Sequence, residues 1–194
     1  MTTVEGTAPQ ATSPTFMMSW SESELVAGCR AGRREALDAL VSRHYDRIYR
    51  LAWTLAGADA AADLAQETFL AAVKALPRFR GDAQLSTWLV SILRNQVSLF
   101  LRGVKKWRLA PLPEDGEHLA APPPPTIDRQ VHDVFDRVRE LPEELRTTLV
   151  LFHLDGMSYA DIARAMECPV GTVRSRLFEA RGRLKKLVSE PERP

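Results

Sequence analysis

LPEELRTTLVLFHLDGMSYADIARAMECPVGTVRSRLFEARGRLKKL, residues Leu141 to Leu187, decides the fold. Gly156 can end one helix, and Ser158 can cap the next by offering its hydroxyl to the backbone N–H near Asp161, whose carboxylate suits the positive start of a helix. Ile162, Ala163 and Met166 share one face of that helix, until Pro169 halts the run and sets up the first turn of another. In this last helix Val173, Leu177, Ala180 and Leu184 recur at spacings of three and four and form the buried stripe. The opposite face displays Thr172, Arg174, Ser175, Arg176 and Phe178, followed by Arg181, Arg183, Lys185 and Lys186. Hydroxyls and guanidinium forks near the start of an exposed helix suit base-edge and phosphate contacts in a major groove. A solvated amphipathic helix would carry similar charges, but the capped helix before it and the Pro169 corner favour a helix-turn-helix DNA reader.

The rest of the chain sets bounds on that reading. Its 194 residues suffice for one medium domain or two small ones, and 45% hydrophobic content is ordinary for a globular protein. A formal net charge of only +1 rules out affinity from a uniformly basic surface. Local patches must supply it: Arg94 to Arg108 contains Arg102, Lys105 and Lys106 without an acidic residue, and Arg174 to Lys186 is basic apart from Glu179. Glu114, Asp115, Glu117 and Asp128 reverse the sign between them. Cys29 and Cys168 have neither CxxC nor Cys/His spacing, and His44, His118, His132 and His153 form no cluster, so neither a disulfide framework nor a metal is indicated and no cofactor is expected. The start, MTTVEGTAPQATSPTFMM, lacks a positive stretch followed by an apolar run, and no segment approaches membrane-spanning length. A cytoplasmic protein with no membrane insertion is expected.

The pattern along the chain predicts an all-α protein of two small helical domains. Residues 1–20 read as a disordered leader, rich in Thr, Ser, Ala and Pro. A first helical domain spans 21–108. Ser21 and Ser23 can cap its start, and Leu37, Leu40, Val41, Tyr45, Ile48, Leu51 and Leu55 form a long stripe that ends at Gly57. A helix from about Ala60 turns Leu64, Ala65, Thr68, Phe69 and Val73 inward and Asp63, Gln66 and Glu67 outward, up to Pro77. A further helix runs from Ser86 through Trp88, Leu89, Ile92, Leu93 and Val97 toward Arg102. Residues 109–128 are Pro-rich and acidic, as in an extended linker, and at about 3.1 Å per residue they could reach roughly 60 Å. That exceeds one turn of duplex, about 34 to 36 Å. Two domains, tethered but separate, could touch DNA at two places. The second, 129–188, contains the helix-turn-helix, and 189–194 form a tail.

Four segments in order resemble the two-domain form of the sigma-70 family, the bacterial extracytoplasmic-function (ECF) RNA polymerase sigma factors. They are DLAQETFLAAVKAL from Asp63, FRGDAQLSTWLVSILRN from Phe79, LPEELRTTLVLFHLDGMSYADIA from Leu141 and CPVGTVRSRLFEAR from Cys168. The resemblance implies a dissociable subunit, with no catalytic activity of its own, that directs core RNA polymerase to promoter DNA and helps to open the duplex. Asp63, Gln66, Glu67, Thr68, Phe69 and Leu70 match the segment that docks on the polymerase; Phe69 could equally face the core. Phe79, Arg80, Trp88, Arg94, Asn95, Gln96 and Arg102 fall in the segment that recognises and melts the minus-ten element, with Gly81 to Leu85 matching a base-capturing loop. Trp88, spaced with Ile92, reads more readily as core than as a stacking surface. The resemblance assigns the minus-thirty-five element to Thr172, Arg174, Ser175, Arg176 and Arg181, with Phe178 on the same face. Leu99, Phe100 and Gly103 depart from the acidic and paired basic residues common after the Arg-Asn pair, and Ala72, Val73 and Ala75 replace an aromatic common near the end of the docking helix. An anti-sigma factor is expected as a regulatory partner. The alternative reading is a stand-alone helix-turn-helix regulator that uses its first domain to dimerise on a palindromic site.

Overall fold

The computed structural model describes residues 20–103 and 129–189, with side chains from Val134 onward in the second stretch. Most of the expected leader, the linker 109–128 and all but the first residue of the tail lie outside them. The described residues are all helical, with no strand. In the first half α1 (Glu22–Arg30) opens on a capping box: Glu24 N–H donates to Ser21 Oγ, and Glu24 Oε2 accepts from Ser21 N–H at 2.9 Å. Gly32, at φ 69°, turns the chain into the long α2 (Arg34–Ala56). Gly28 fixes how closely these helices approach, since a Cβ there would lie 2.7 Å from that of Ala36. Then follow α3 (Ala58–Ala75), a single 3-10 turn over Leu76–Arg78, and α4 (Leu85–Leu101). Leu40, Ile48, Leu51, Leu55, Leu64, Leu89 and Leu93 are sealed between them.

The second half comprises α5 (Arg129–Arg139), α6 (Glu143–His153), α7 (Tyr159–Ala165) and α8 (Val170–Ser189). Gly156 takes the left-handed conformation at φ 69°, and Ser158 Oγ accepts the Asp161 N–H at 3.1 Å, as its spacing predicts. Ile162, Met166, Val173, Leu177 and Ala180 are buried where α6, α7 and α8 meet. The buried Arg146 of α6 donates to the Arg139 carbonyl at 3.1 Å and ties α5 down.

The two helical domains lie in contact in this structure. The halves pack together, α2 against α5 and α6, and α4 against α7. Trp53 of α2, only 2% exposed, meets Phe135 edge-on at 5.4 Å, and the Arg139 guanidinium lies 5.6 Å from the indole centre. One turn and a half earlier on α2, Arg47 makes a two-pronged bond to Asp155: Nε to Oδ1 at 2.7 Å and Nη2 to Oδ2 at 2.6 Å. The Asp155 side chain is only 4% exposed. Hydrophobic spacing shows which face of a helix is buried, but not whether its partner belongs to the same domain, and these contacts join residues 108 apart.

Removing one member of so buried a pair leaves the other charge without compensation. Arg47→Ala is therefore expected to loosen the halves while each keeps its helices, seen as a larger radius of gyration in small-angle X-ray scattering with unchanged helical circular dichroism. A second expectation concerns His44, one turn before Arg47. Burial first, then Arg43 and Arg47, push its imidazole down to about 4, against the pull of Glu22. Between pH 6.5 and 4 the unfolded chain binds the extra proton, so stability falls as pH falls through that window. Solvent reaching the ring screens part of the effect, so at pH 5 the loss is about 1 kcal/mol, and His44→Gln should remove it from denaturant midpoints compared at pH 7 and pH 5.

Candidate nucleic-acid interface

The corner before α8 is tight because α7 ends within three residues. Met166 N–H donates to Ile162 O at 2.8 Å, Glu167 takes a positive φ of 50°, and Cys168 N–H reaches Ala163 O at 3.0 Å. Pro169 then accepts the Thr172 N–H through its carbonyl at 2.9 Å and starts α8. A left-handed glutamate was not legible from the sequence, in which only Gly and Asn signal that conformation. With Val173, Leu177 and Ala180 inward, α8 presents Arg174, Ser175 and Phe178 to solvent, with Thr172 half-buried beside them. Phe178 is 83% exposed, an unusual position for a phenylalanine. Val170, 43% exposed at the start of α8, joins the same face and was missed because a residue after a helix-starting proline reads as punctuation.

Two of the expected DNA contacts are held elsewhere. The Arg176 guanidinium pairs with Glu144 at 2.8 Å and lies 3.7 Å from Cys168 Sγ, bracing α8 against α6. Arg181 folds back on α6: Nε and Nη2 lie 3.3 and 3.2 Å from His153 Nε2, and its guanidinium sits 5.6 Å from the Phe152 ring centre. Burial, then the positive Arg181, lower the His153 pKa, and because a guanidinium can only donate, Nε2 is the acceptor of this contact. These two side chains stand on either side of the buried stripe of α8 and each reaches a residue of α6, a pairing across the fold that the pattern of charges alone does not fix.

The other candidate surface lies around α4. Phe79 is buried and its ring packs on the half-buried Trp88, centroids 4.9 Å apart, so neither ring stands free as the stacking platform that their residue types suggest. This pair closes the loop onto α4. Arg80, Asn95 and Arg102 are exposed, while Arg94 and Gln96 are half-buried. Arg94 Nη1 donates to Asn95 Oδ1 at 2.7 Å, and Arg102 Nε donates to Ser98 O at 3.1 Å, lining the basic groups along one side of the helix. On α3, Gln66 and Leu70 are exposed and Asp63 and Glu67 half-buried, a polar rim around an apolar centre. Thr68 and Phe69 belong instead to the core. Thr68 donates to Leu64 O at 2.7 Å, and Phe69, 6% exposed, stacks on Tyr45 at 6.2 Å. Among the described residues no group of His, Cys, Asp and Glu could hold a metal, and no helix is long and apolar enough to cross a membrane.

Two stretches in this order match known families: residues 40–108 the Sigma-70 region 2, and residues 133–184 the Sigma-70, region 4. An ECF RNA polymerase sigma-E factor of Haemophilus influenzae is 35% identical over 83% of this chain and 92% of its own. The chain belongs to the ECF RNA polymerase sigma factors. Two solved structures share the fold at 25% identity: CnrH in complex with the cytosolic domain of CnrY, with TM-score 0.66 over 86% of this chain and 96% of that one, and the sigma factor RpoE of Bartonella quintana in complex with the anti-sigma factor NepR, with TM-score 0.61 over 80% and 98%. Membership covering both regions sets aside the stand-alone regulator. In this sigma factor the helix-turn-helix lies in region 4, and the α3 and α4 surfaces in region 2.

The geometry separates two arginines that the sequence treats alike. Arg174→Ala should weaken binding to a duplex carrying the cognate upstream element by about 1 to 3 kcal/mol without lowering the melting temperature. Arg176→Ala should instead cost under about 1 kcal/mol of stability, through its lost pair with Glu144, and change affinity less. Fluorescence anisotropy beside thermal melts distinguishes the two.

Proposed function

We propose that residues 21–108 and 129–188 act as two modules of one promoter-recognition subunit, the first docking on core RNA polymerase and melting DNA, the second reading duplex upstream. As a sigma factor the chain directs the polymerase to promoters and has no catalytic chemistry of its own. The observation that supports the reading best is the exposed Arg174, Ser175 and Phe178 face of α8 on a chain matched by both sigma regions. Gln66, Leu70, Asp63 and Glu67 meet the polymerase. Arg80, Arg94, Asn95, Gln96 and Arg102 meet the separated strands, and Thr172, Arg174, Ser175 and Phe178 meet the upstream element. The protein acts in the cytoplasm, where polymerase and promoters are. An anti-sigma factor is its regulatory partner, as the complex of RpoE with the anti-sigma factor NepR suggests by similarity.

The packed arrangement places α4 directly against α7, beside the recognition helix. Promoter elements more than a helical turn apart cannot be met by readers so close, so promoter engagement parts the halves and breaks the Arg47–Asp155 bridge. In run-off transcription with purified core polymerase and a pool of genomic fragments, the chain is expected to give promoter-dependent transcripts; none on any fragment refutes the proposal. Replacing Gln66 and Glu67 by alanine should weaken association with core polymerase several-fold and leave the fold intact, since Gln66 is exposed and Glu67 is off the buried stripe.

A further inference from the structure

Helix α1 lies ahead of the stretch matched to region 2, which begins at residue 40, yet two of its side chains grip the loop that leads into α4. Arg30 Nε donates to Leu76 O at 3.3 Å, and its Nη2 donates to Phe79 O. Eight residues earlier on α1, Glu22 Oε1 accepts the Leu85 N–H at 3.0 Å. This last bond has a clear cause. The residue before α4, Gln84, makes no capping bond with its side chain, so the carboxylate from across the fold satisfies a free N–H at the positive end of α4. Both ends of the loop are thus tied to one rigid element. Between them lies an open cleft of about 500 Å³ lined by Glu22, Ser23, Val26, Arg30, Phe79 and Arg80.

Apolar packing holds α1 in place beside these three bonds. Leu25, Val26 and Cys29 are buried beneath it, and the missing Cβ of Gly28 lets it lie directly on Ala36. The polar pair therefore sets the shape of residues 79–85 rather than the stability of the helix. We infer that Glu22 and Arg30 are positioning residues for promoter opening: they hold the loop before α4 in the one shape that accepts an unpaired base of the separated strand. The inference rests on the reading that the α4 surface meets that strand. Small displacements of such a frame cost rate steeply, because a reader misplaced by about 1 Å loses about a hundredfold in well-oriented reactions.

The test uses holoenzyme reconstituted from core polymerase and the full-length chain, on a promoter mapped by its run-off product. Permanganate reactivity of unpaired thymines follows opening, with each base of the downstream element replaced in turn. Glu22→Ala and Arg30→Met are expected to lower opening about tenfold and to flatten the preference among bases at one or two positions. Polymerase association, upstream duplex binding and melting temperature should hold. Glu22→Gln, which keeps an acceptor oxygen for Leu85, should restore most of the preference. An unchanged base preference in both variants overturns the inference, as does a uniform loss at every position that tracks a lowered melting temperature. If Arg80→Ala and Asn95→Ala also leave opening untouched, the strand-contact reading has failed, and the inference with it. A result in which those two abolish opening while the α1 variants do not overturns the inference alone.

Discussion

The charge on Asp155 is the constraint on which the arrangement of the two halves turns. A carboxylate with 4% of its side chain exposed would be costly unless opposite charge and hydrogen bonds replaced water, and the planar guanidinium of Arg47 supplies both through two N–H donors. Asp155 stands between the end of α6 and the Gly156 turn, so the same bond fixes where the helix-turn-helix begins relative to α2. Trp53 and Phe135 add apolar contact nearby, with Arg139 closing over the indole. A buried ion pair of this kind is a better device for choosing one arrangement than for adding stability, because an apolar pair of similar volume could hold the surfaces together as well.

Region 4 divides its arginines by what α6 offers at each level of α8, since Arg174 and Arg181, two turns apart, share one side of the helix. Arg176 and Arg181 reach α6 and brace the recognition helix through Glu144, His153 and Phe152, while Arg174, nearer its start, is exposed. A recognition helix must be held at a fixed angle if its contacts with base edges are to discriminate, and side chains used for bracing are not free to read. At the start of α8 the outward surface is a mixed one of the Arg174 guanidinium, the Thr172 and Ser175 hydroxyls and the exposed Phe178 ring.

How far the sequence reveals this depends on the range of each interaction. Ser158 capping α7, Gly156 in the left-handed turn and the Val173, Leu177 and Ala180 stripe are legible because each involves residues within a few positions of one another. Regional order is legible for the same reason, as four local patterns in one sequence. The bridge from Arg47 to Asp155, the hold of Arg30 on the 76–79 turn and the cap that Glu22 gives α4 are not, because each joins distant segments through charged residues that pattern reading assigns to solvent. Phe69 and Phe79 show the converse. Aromatic type suggested contact surfaces, but Tyr45 and Trp88 offered partners within the fold, and burial prevailed.

The same logic links the near-neutral charge of the chain to its mode of action. With a formal charge of +1, long-range attraction to DNA is weak, so neither α4 nor α8 alone gains much from the electrostatic field of the whole protein. Affinity must arise when both are engaged at once, where the second contact becomes intramolecular and the connector sets its effective concentration. On the proposed reading, the packed form, with α2 on α5 and α6 and α4 on α7, works against such double engagement in solution, because the readers are too close to span the two elements. If core polymerase holds region 2 through the α3 surface, as proposed, it can offset that packing only where its contacts favour the parted form, which would make the inter-half bridge as much a part of promoter selectivity as the side chains proposed to touch bases.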